Sequence, residues 1–251
     1  MLALVTGASS GIGRAFARRL GAEGHDLVVV GRRADRLDEL VAAMPAVRVK
    51  PIVADLATPH GLAAVAAECS AIDMLVNNAG VAHYMAFAAL PDDKLSELLA
   101  VKVVAPTLLA RAAAPGMVAR GRGTIINVAG MLGFSGAVKL PLKGAVYRAA
   151  LAHLVTLSQA LGDELAPSVR VQVLCPGVVA TEFHTRQGMD LSAVPRMSAE
   201  DVVTASLAGL ELGEVVCAPG VEQADLLEAV FEAQRAAFAG QAPVLASRYR
   251  S

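Results

Sequence analysis

The chain has 251 residues, is 55% hydrophobic, and sets 22 Lys+Arg against 23 Asp+Glu for a net charge of −1. That length suits one α/β domain with a large core, and scattered, balanced charge argues against a nucleic acid or an anionic membrane surface as partner. The mean hydropathy of +0.53 is high, yet no uninterrupted apolar run approaches the roughly 18 to 20 residues of a membrane span, and the first strand stands where a signal peptide would.

In chain order, strand-like apolar runs fall at Leu2–Val5, Leu27–Val30, Val47–Val53, Ile72–Val76, Thr124–Val128, Val169–Leu174 and Glu214–Cys217. Stretches of helical apolar periodicity separate them. This alternation predicts βαβ units with right-handed crossovers, hence a doubly wound, seven-stranded parallel α/β sheet with helices on both faces. One domain over residues 1–251 is expected, with its ligand crevice beyond the carboxyl ends of the strands. The long Ala-rich stretches Leu95–Arg120 and Val146–Leu165 are apolar over more than one face, which fits either burial within the monomer or contact with another subunit. The tail Ala236–Ser251 reads as irregular or as reaching a neighbouring subunit. Cys69, Cys175 and Cys217 are widely separated in apolar surroundings and read as buried free thiols in a reducing cytoplasm. The five histidines lack ligand spacing, so no metal is expected.

Chemistry begins directly behind the first strand, at Thr6-Gly7-Ala8-Ser9-Ser10-Gly11-Ile12-Gly13. Gly7 permits the turn, Gly11 lets backbone approach a pyrophosphate, and Gly13 lets helix and strand pack closely. The second strand run leads into Gly31-Arg32-Arg33, where a fold of this kind places an acidic residue for an NAD ribose. Two guanidinium groups offer instead a fork for a 2′-phosphate, favouring NADP(H). Asp55-Leu56 follows the third strand, Asn77-Asn78-Ala79-Gly80 the fourth, and Tyr147 and Pro176-Gly177 come later in order.

Together these segments resemble the short-chain dehydrogenase/reductase family over essentially the whole chain. The resemblance implies a Rossmann-like fold with NADP(H) as cofactor and a homo-oligomer, dimer or tetramer, paired through the long helices. It places Asp55 at the adenine, with Leu56 beside it, Asn78, Ala79 and Gly80 along the adenosine and ribose path, Pro176-Gly177 at the nicotinamide and Thr181 near its carboxamide. Asp55 also reads as a cap for a helix starting near Pro59.

The family's catalytic set of Asn, Ser, Tyr and Lys is mostly replaced. Tyr147-Arg148-Ala149-Ala150-Leu151 puts Leu151 at the lysine position, Gly130 takes the serine position behind Ile126-Asn127-Val128-Ala129, and Lys102 takes the asparagine position on the preceding helix. Tyr147 alone remains. A phenol has a pKa of about 10 and needs a nearby cation to pass protons in both directions at neutral pH. Ser135, Lys139 and Lys143 are the nearest alternative donors. A lysine stem reaches about 6 Å, so Lys102 could bring its charge towards Tyr147, or it could snorkel to solvent.

The segment from Thr181 to Met197 resembles the family's substrate lid, and His83, Tyr84, Met85, Phe134 and Leu142 fall around the same mouth. A small hydrophobic carbonyl or alcohol is the expected substrate. Three readings follow: a weakened NADP(H)-dependent oxidoreductase; lysine-dependent carbonyl chemistry of the Schiff-base or aldol type at Lys102; and a non-catalytic NADP(H)-binding protein.

Overall fold

In a computed structural model describing residues 1–250, the chain divides into two compact units, Met1–Pro219 and Gly220–Ser251. The first contains every strand: β1 (Leu2–Thr6), β2 (Asp26–Gly31), β3 (Val49–Val53), β4 (Met74–Asn77), β5 (Thr124–Val128), β6 (Arg170–Leu174) and β7 (Val216–Cys217). All pair in parallel in the order β3-β2-β1-β4-β5-β6-β7. The order reverses between β1 and β4, and the crevice outside that switch point is where such sheets take ligands.

Each of the seven apolar runs forms a strand, and the differences lie at their ends. Val47 is held in a turn by its bond to Met44 O, so β3 starts two residues later than the run. Glu214 N closes a turn onto Gly209 O, leaving β7 only two residues. Successive residues of β1 point to opposite faces. Ala3 and Val5 pack with Phe16, Leu20 and Val202 on one side; Leu4 packs with Leu75, Leu109 and Met117 on the other.

The first long helical stretch comprises α4 (Asp92–Leu99), one widened turn (Ala100–Val104) and α5 (Ala105–Ala119). Pro106 lacks the N–H that would bond to the carbonyl of Lys102, so the ladder reopens with Ala105 N on Ala100 O, five residues back. Across Asp92–Ala119 the most apolar 18 residues of this helix have a mean hydropathy of 1.5, so by length and composition alone it is long and apolar enough to cross a membrane, with isolated charges at Lys102 and Arg111. Its apolar side, including Leu98, Val101, Ala105, Leu109 and Met117, is buried in the core. The second long stretch forms α6 (Ala145–Glu164).

The second unit consists of a helix at Asp225–Ala239 and a short turn at Ser247–Tyr249. Residues 236–239, at the start of the tail read as irregular or as reaching a neighbouring subunit, are the last turn of this helix.

Candidate active site

The glycine loop bridges β1 to α1 (Gly11–Ala22), with Gly7 at φ +67 and Gly11 at φ +51, a region that only glycine enters freely. A Cβ on Gly13 would lie 2.4 Å from Asn78 Nδ2 and 2.5 Å from Gly7 O, so the helix start can tuck beneath the loop only without a side chain. Ser10, at the helix N-cap, makes no capping bond. The first amides of α1 are thus left for a ligand, as a phosphate site requires. Thr6 Oγ1 accepts from Asn78 N (2.9 Å) and Ala79 N (3.0 Å), while Asn78 Nδ2 donates to Thr6 O (3.0 Å), locking the end of β1 to the end of β4.

The two arginines behind β2 diverge. Arg33 Nη2 donates to Ser9 Oγ at 3.2 Å and to Glu182 Oε1 at 2.6 Å, whereas Arg32 Nη1 lies 3.5 Å from Glu97 Oε1 and 3.9 Å from Asp55 Oδ2. Hydrogen bonding by Arg33 holds the Glu182 carboxyl below its ordinary pKa. Asp55 Oδ1 accepts from Ala57 N (2.9 Å) in a turn. The N-cap of α3 (Pro59–Ala66) is Thr58, whose side chain accepts from Gly61 N, correcting the reading of Asp55 as that cap.

At the catalytic end, the widened turn aims Lys102 inward. It is 4% exposed, and its ammonium donates to Val128 O at 3.1 Å. Burial lowers its pKa to about 8. A Cβ on Gly80 would lie 3.0 Å from Lys102 Nζ, so glycine at 80 leaves room for the amine. Lys102 is buried against the site rather than snorkelling. Across the floor, Leu151 Cδ1 lies 3.5 Å from where a Cβ on Gly130 would stand. The two departures from the family pattern therefore meet, forming an apolar patch where a serine and a lysine would otherwise be.

Tyr147, on the first turns of α6, is buried. Its ring meets that of Tyr84 edge-on, with centroids 5.5 Å apart and planes at 78°. Burial first, and Tyr84 second, hold the Tyr147 phenol far above its ordinary pKa, and Lys102 is not among the groups that act on it. The alternative donors are engaged or turned away. Ser135 Oγ donates to Leu132 O and accepts from Arg148 Nε (2.8 Å), Lys139 and Lys143 are exposed, and His83 Nε2 lies 3.0 Å from Glu97 Oε2.

One cavity of about 530 Å³ gathers these groups. It is lined by Gly7, Ser9, Ser10, Gly11, Ile12, Arg32, Arg33, Asp55, Leu56, Asn78, Ala79, Gly80, Lys102, Tyr147, Pro176, Gly177 and Thr181, every expected site residue except Thr6 and Gly13, which brace the loop from beneath. Its other end is apolar, with Met131, Leu132, Leu142, Met189 and Leu191. The lid segment contributes a short helix, α7 (Phe183–Arg186), placing Phe183 and His184 beside the tyrosines. Sequence reasoning missed Glu182 and the ring contact between Tyr84 and Tyr147. Glu182 carried a faint signal, as the acidic residue directly after Thr181.

A family model described as short chain dehydrogenase matches residues 1–191. Galactitol 2-dehydrogenase (L-tagatose-forming) of Cereibacter sphaeroides is 37% identical over 185 residues, 72% of each chain. A short-chain dehydrogenase from Sphingobium yanoikuyae, solved in complex with NADPH, superposes with a TM-score of 0.94 at 35% identity over 99% of both chains. The bulky-bulky ketone specific alcohol dehydrogenase from Comamonas testosteroni superposes with a TM-score of 0.89 at 30% identity, covering 100% of this chain and 98% of that one.

Proposed function

Because the chain belongs to the short-chain dehydrogenase family, we propose that it is an NADP(H)-dependent oxidoreductase, interconverting a hydrophobic carbonyl compound and its alcohol with a reduced catalytic set. The observation that carries this reading is the single cavity joining the glycine loop and Arg33 at one end to Tyr147 and an apolar pocket at the other. The uncapped start of α1 fits a pyrophosphate. Arg33 beside Ser9 fits a 2′-phosphate better than a bare ribose. The NADPH held by the Sphingobium yanoikuyae relative and the bulky ketones named for the Comamonas testosteroni relative support the same cofactor and substrate class.

Bound NADPH would supply a hydride to the carbonyl carbon. Tyr147 would give its hydroxyl proton to the carbonyl oxygen, and Lys102, between Gly80 and Val128 O, would hold the cofactor's sugar hydroxyls. Glycine at 130 removes one donor to the carbonyl, so turnover is slower than with a serine there. A phenol held above its ordinary pKa stays protonated at neutral pH. Reduction, which needs the phenol, is therefore favoured over alcohol oxidation, which needs the phenolate.

Calorimetric titration with NADPH and NADH, followed by NADPH oxidation on a panel of bulky aryl and alkyl ketones, tests this reading. Micromolar NADPH binding, much weaker NADH binding, and reduction abolished by Tyr147→Phe are expected. A profile flat from pH 6 to about 9 for reduction, with oxidation rising throughout that range, would follow from the phenol. Binding of neither dinucleotide would refute the assignment. A second reading, amine chemistry at Lys102, has one observation in its favour: with a pKa of about 8, roughly a tenth of the amine is neutral at pH 7. Borohydride trapping of an added aldehyde on Lys102, located by peptide mass, is the outcome it requires.

A further inference from the structure

The chain is poor in aromatic residues, with three tyrosines, six phenylalanines and no tryptophan. Two of the three tyrosines nevertheless meet in the cavity with Phe183 and His184, and among the described residues these four are the only aromatic rings on its lining. Each touches two others. Tyr84 meets Tyr147 edge-on at 5.5 Å between centroids, and Tyr147 meets Phe183 at 6.5 Å with planes at 32°. Phe183 meets His184 edge-on at 5.4 Å, and His184 stacks on Tyr84 at 6.3 Å with planes at 17°. The circuit is closed, so the segment after β4, α6 and α7 together present one continuous aromatic wall. A Cβ on Gly144 would stand 3.5 Å from Tyr84 Cδ1, so the backbone entering α6 lies against that ring and fixes it from outside. Tyr147 is buried, whereas Tyr84, Phe183 and His184 are half-buried and keep surface free on the cavity side. Away from the rings, that end of the cavity is lined by aliphatic side chains, among them Leu132, Leu142, Met189 and Leu191.

The two linings sort the substituents of a ketone by their chemistry. Tyr147 is both the group that meets the carbonyl oxygen and a corner of the aromatic wall. A substituent bonded directly to the carbonyl carbon therefore comes within reach of the neighbouring rings, whereas a group several bonds away passes on to the aliphatic side chains. Ring quadrupoles favour edge-on and offset contacts with another ring beyond what buried area supplies. We infer that the cavity selects aryl ketones whose ring is bonded directly to the reacting carbonyl, with Tyr84, Phe183 and His184 as the residues that seat that ring. The inference rests on the oxidoreductase reading and narrows its substrate class. The ketone's other arm lies towards the aliphatic side chains.

Acetophenone and cyclohexyl methyl ketone share a carbon skeleton and differ only in whether the ring is aromatic, and 4-phenylbutan-2-one moves an aromatic ring two carbons away from the carbonyl. Conjugation makes an aryl ketone intrinsically less reactive, so the deciding quantity is the change in a ratio of kcat/KM values on substitution, in which that difference cancels. Phe183→Leu and Tyr84→Leu keep an apolar side chain and remove the ring. Each should lower the ratio of acetophenone to cyclohexyl methyl ketone by about 2- to 12-fold, the worth of one aromatic pair, while the ratio of 4-phenylbutan-2-one to 4-cyclohexylbutan-2-one moves by less than about twofold. A second measurement needs no turnover. Benzamide and cyclohexanecarboxamide resemble the two methyl ketones in shape and are not reduced, and the ratio of their Kd values on the NADPH-saturated protein, read by calorimetry, should shift towards the saturated amide by the same factor in either variant. Ratios that neither variant moves would overturn the aromatic seat and leave the oxidoreductase reading standing. A protein that reduces none of the ketones would strike the oxidoreductase reading; there a shifted amide ratio would keep the seat as a binding site for aryl groups, and an unshifted one would overturn both.

Discussion

Lys102 is the residue at which sequence and structure meet most directly. Its place on the helix and its departure from the family's asparagine were legible from the resemblance of its segment to the family's. Its depth was not, because the widened turn set by Pro106 and the space left by Gly80 depend on segments far apart in the chain. The consequence is thermodynamic. Burial takes the pKa from 10.5 to about 8, so between those values the unfolded chain holds a proton that the folded chain does not, and stability contributed at this site rises with pH across that window. The three buried cysteines act oppositely. Their thiols are pushed up to about 12 from 9.0, so the stability they contribute is intact below pH 9 and is lost as pH rises towards 12. Lys102→Met isolates the lysine. Chemical denaturation should find the variant more stable at pH 7, by up to about 3 kcal/mol for a shift of roughly 2.5 pKa units, with the gap closing by about pH 10.5. A gap independent of pH would mean that the ammonium is not buried as described.

At the level of elements, the end of β2 and the start of the lid are tied together. Arg33 reaches Glu182 at 2.6 Å across 149 residues of chain, and Arg186 lies 3.4 Å from the same carboxylate. Such a contact is invisible to periodicity, which found the strand, and to the family resemblance, which marked the segment after Thr181, because neither shows which side chains meet. It bears on the cofactor, because the carboxylate engages the guanidinium that a 2′-phosphate would need. Glu182→Gln should therefore tighten NADPH binding while leaving NADH nearly unchanged. An exposed ion pair is worth about 0.2 to 1 kcal/mol, so calorimetry should read roughly a 1.5- to 5-fold lower Kd. Equal NADPH affinity in variant and parent would show that the pair does not compete with the phosphate. The cap of α3 carries the same lesson on a shorter scale. Asp55 and Thr58 both suit a turn before Pro59, and only the side-chain geometry gives the cap to Thr58.

For the molecule as a whole, seven alternating apolar runs sufficed to predict the parallel sheet, since parallel strands buried on both faces leave few other arrangements. The same reasoning left open what covers the outer side of the long helix, and there the widened turn matters again. Leu99, Val104 and Leu108 are all exposed. A step of five across the widened turn and of four beyond it brings them onto one stripe. The pairing of subunits expected from the family resemblance would bury that stripe against its copy on a two-fold axis, with each residue used twice. Sedimentation velocity at tens of micromolar should find a dimer or larger species, and Val104→Asp with Leu108→Asp should convert it to a monomer. Because both positions are on the surface, the double variant should keep its fold and its melting temperature as a monomer to within a few degrees. A parent protein that sediments as a monomer, or a double variant that stays assembled, would place any subunit contact elsewhere.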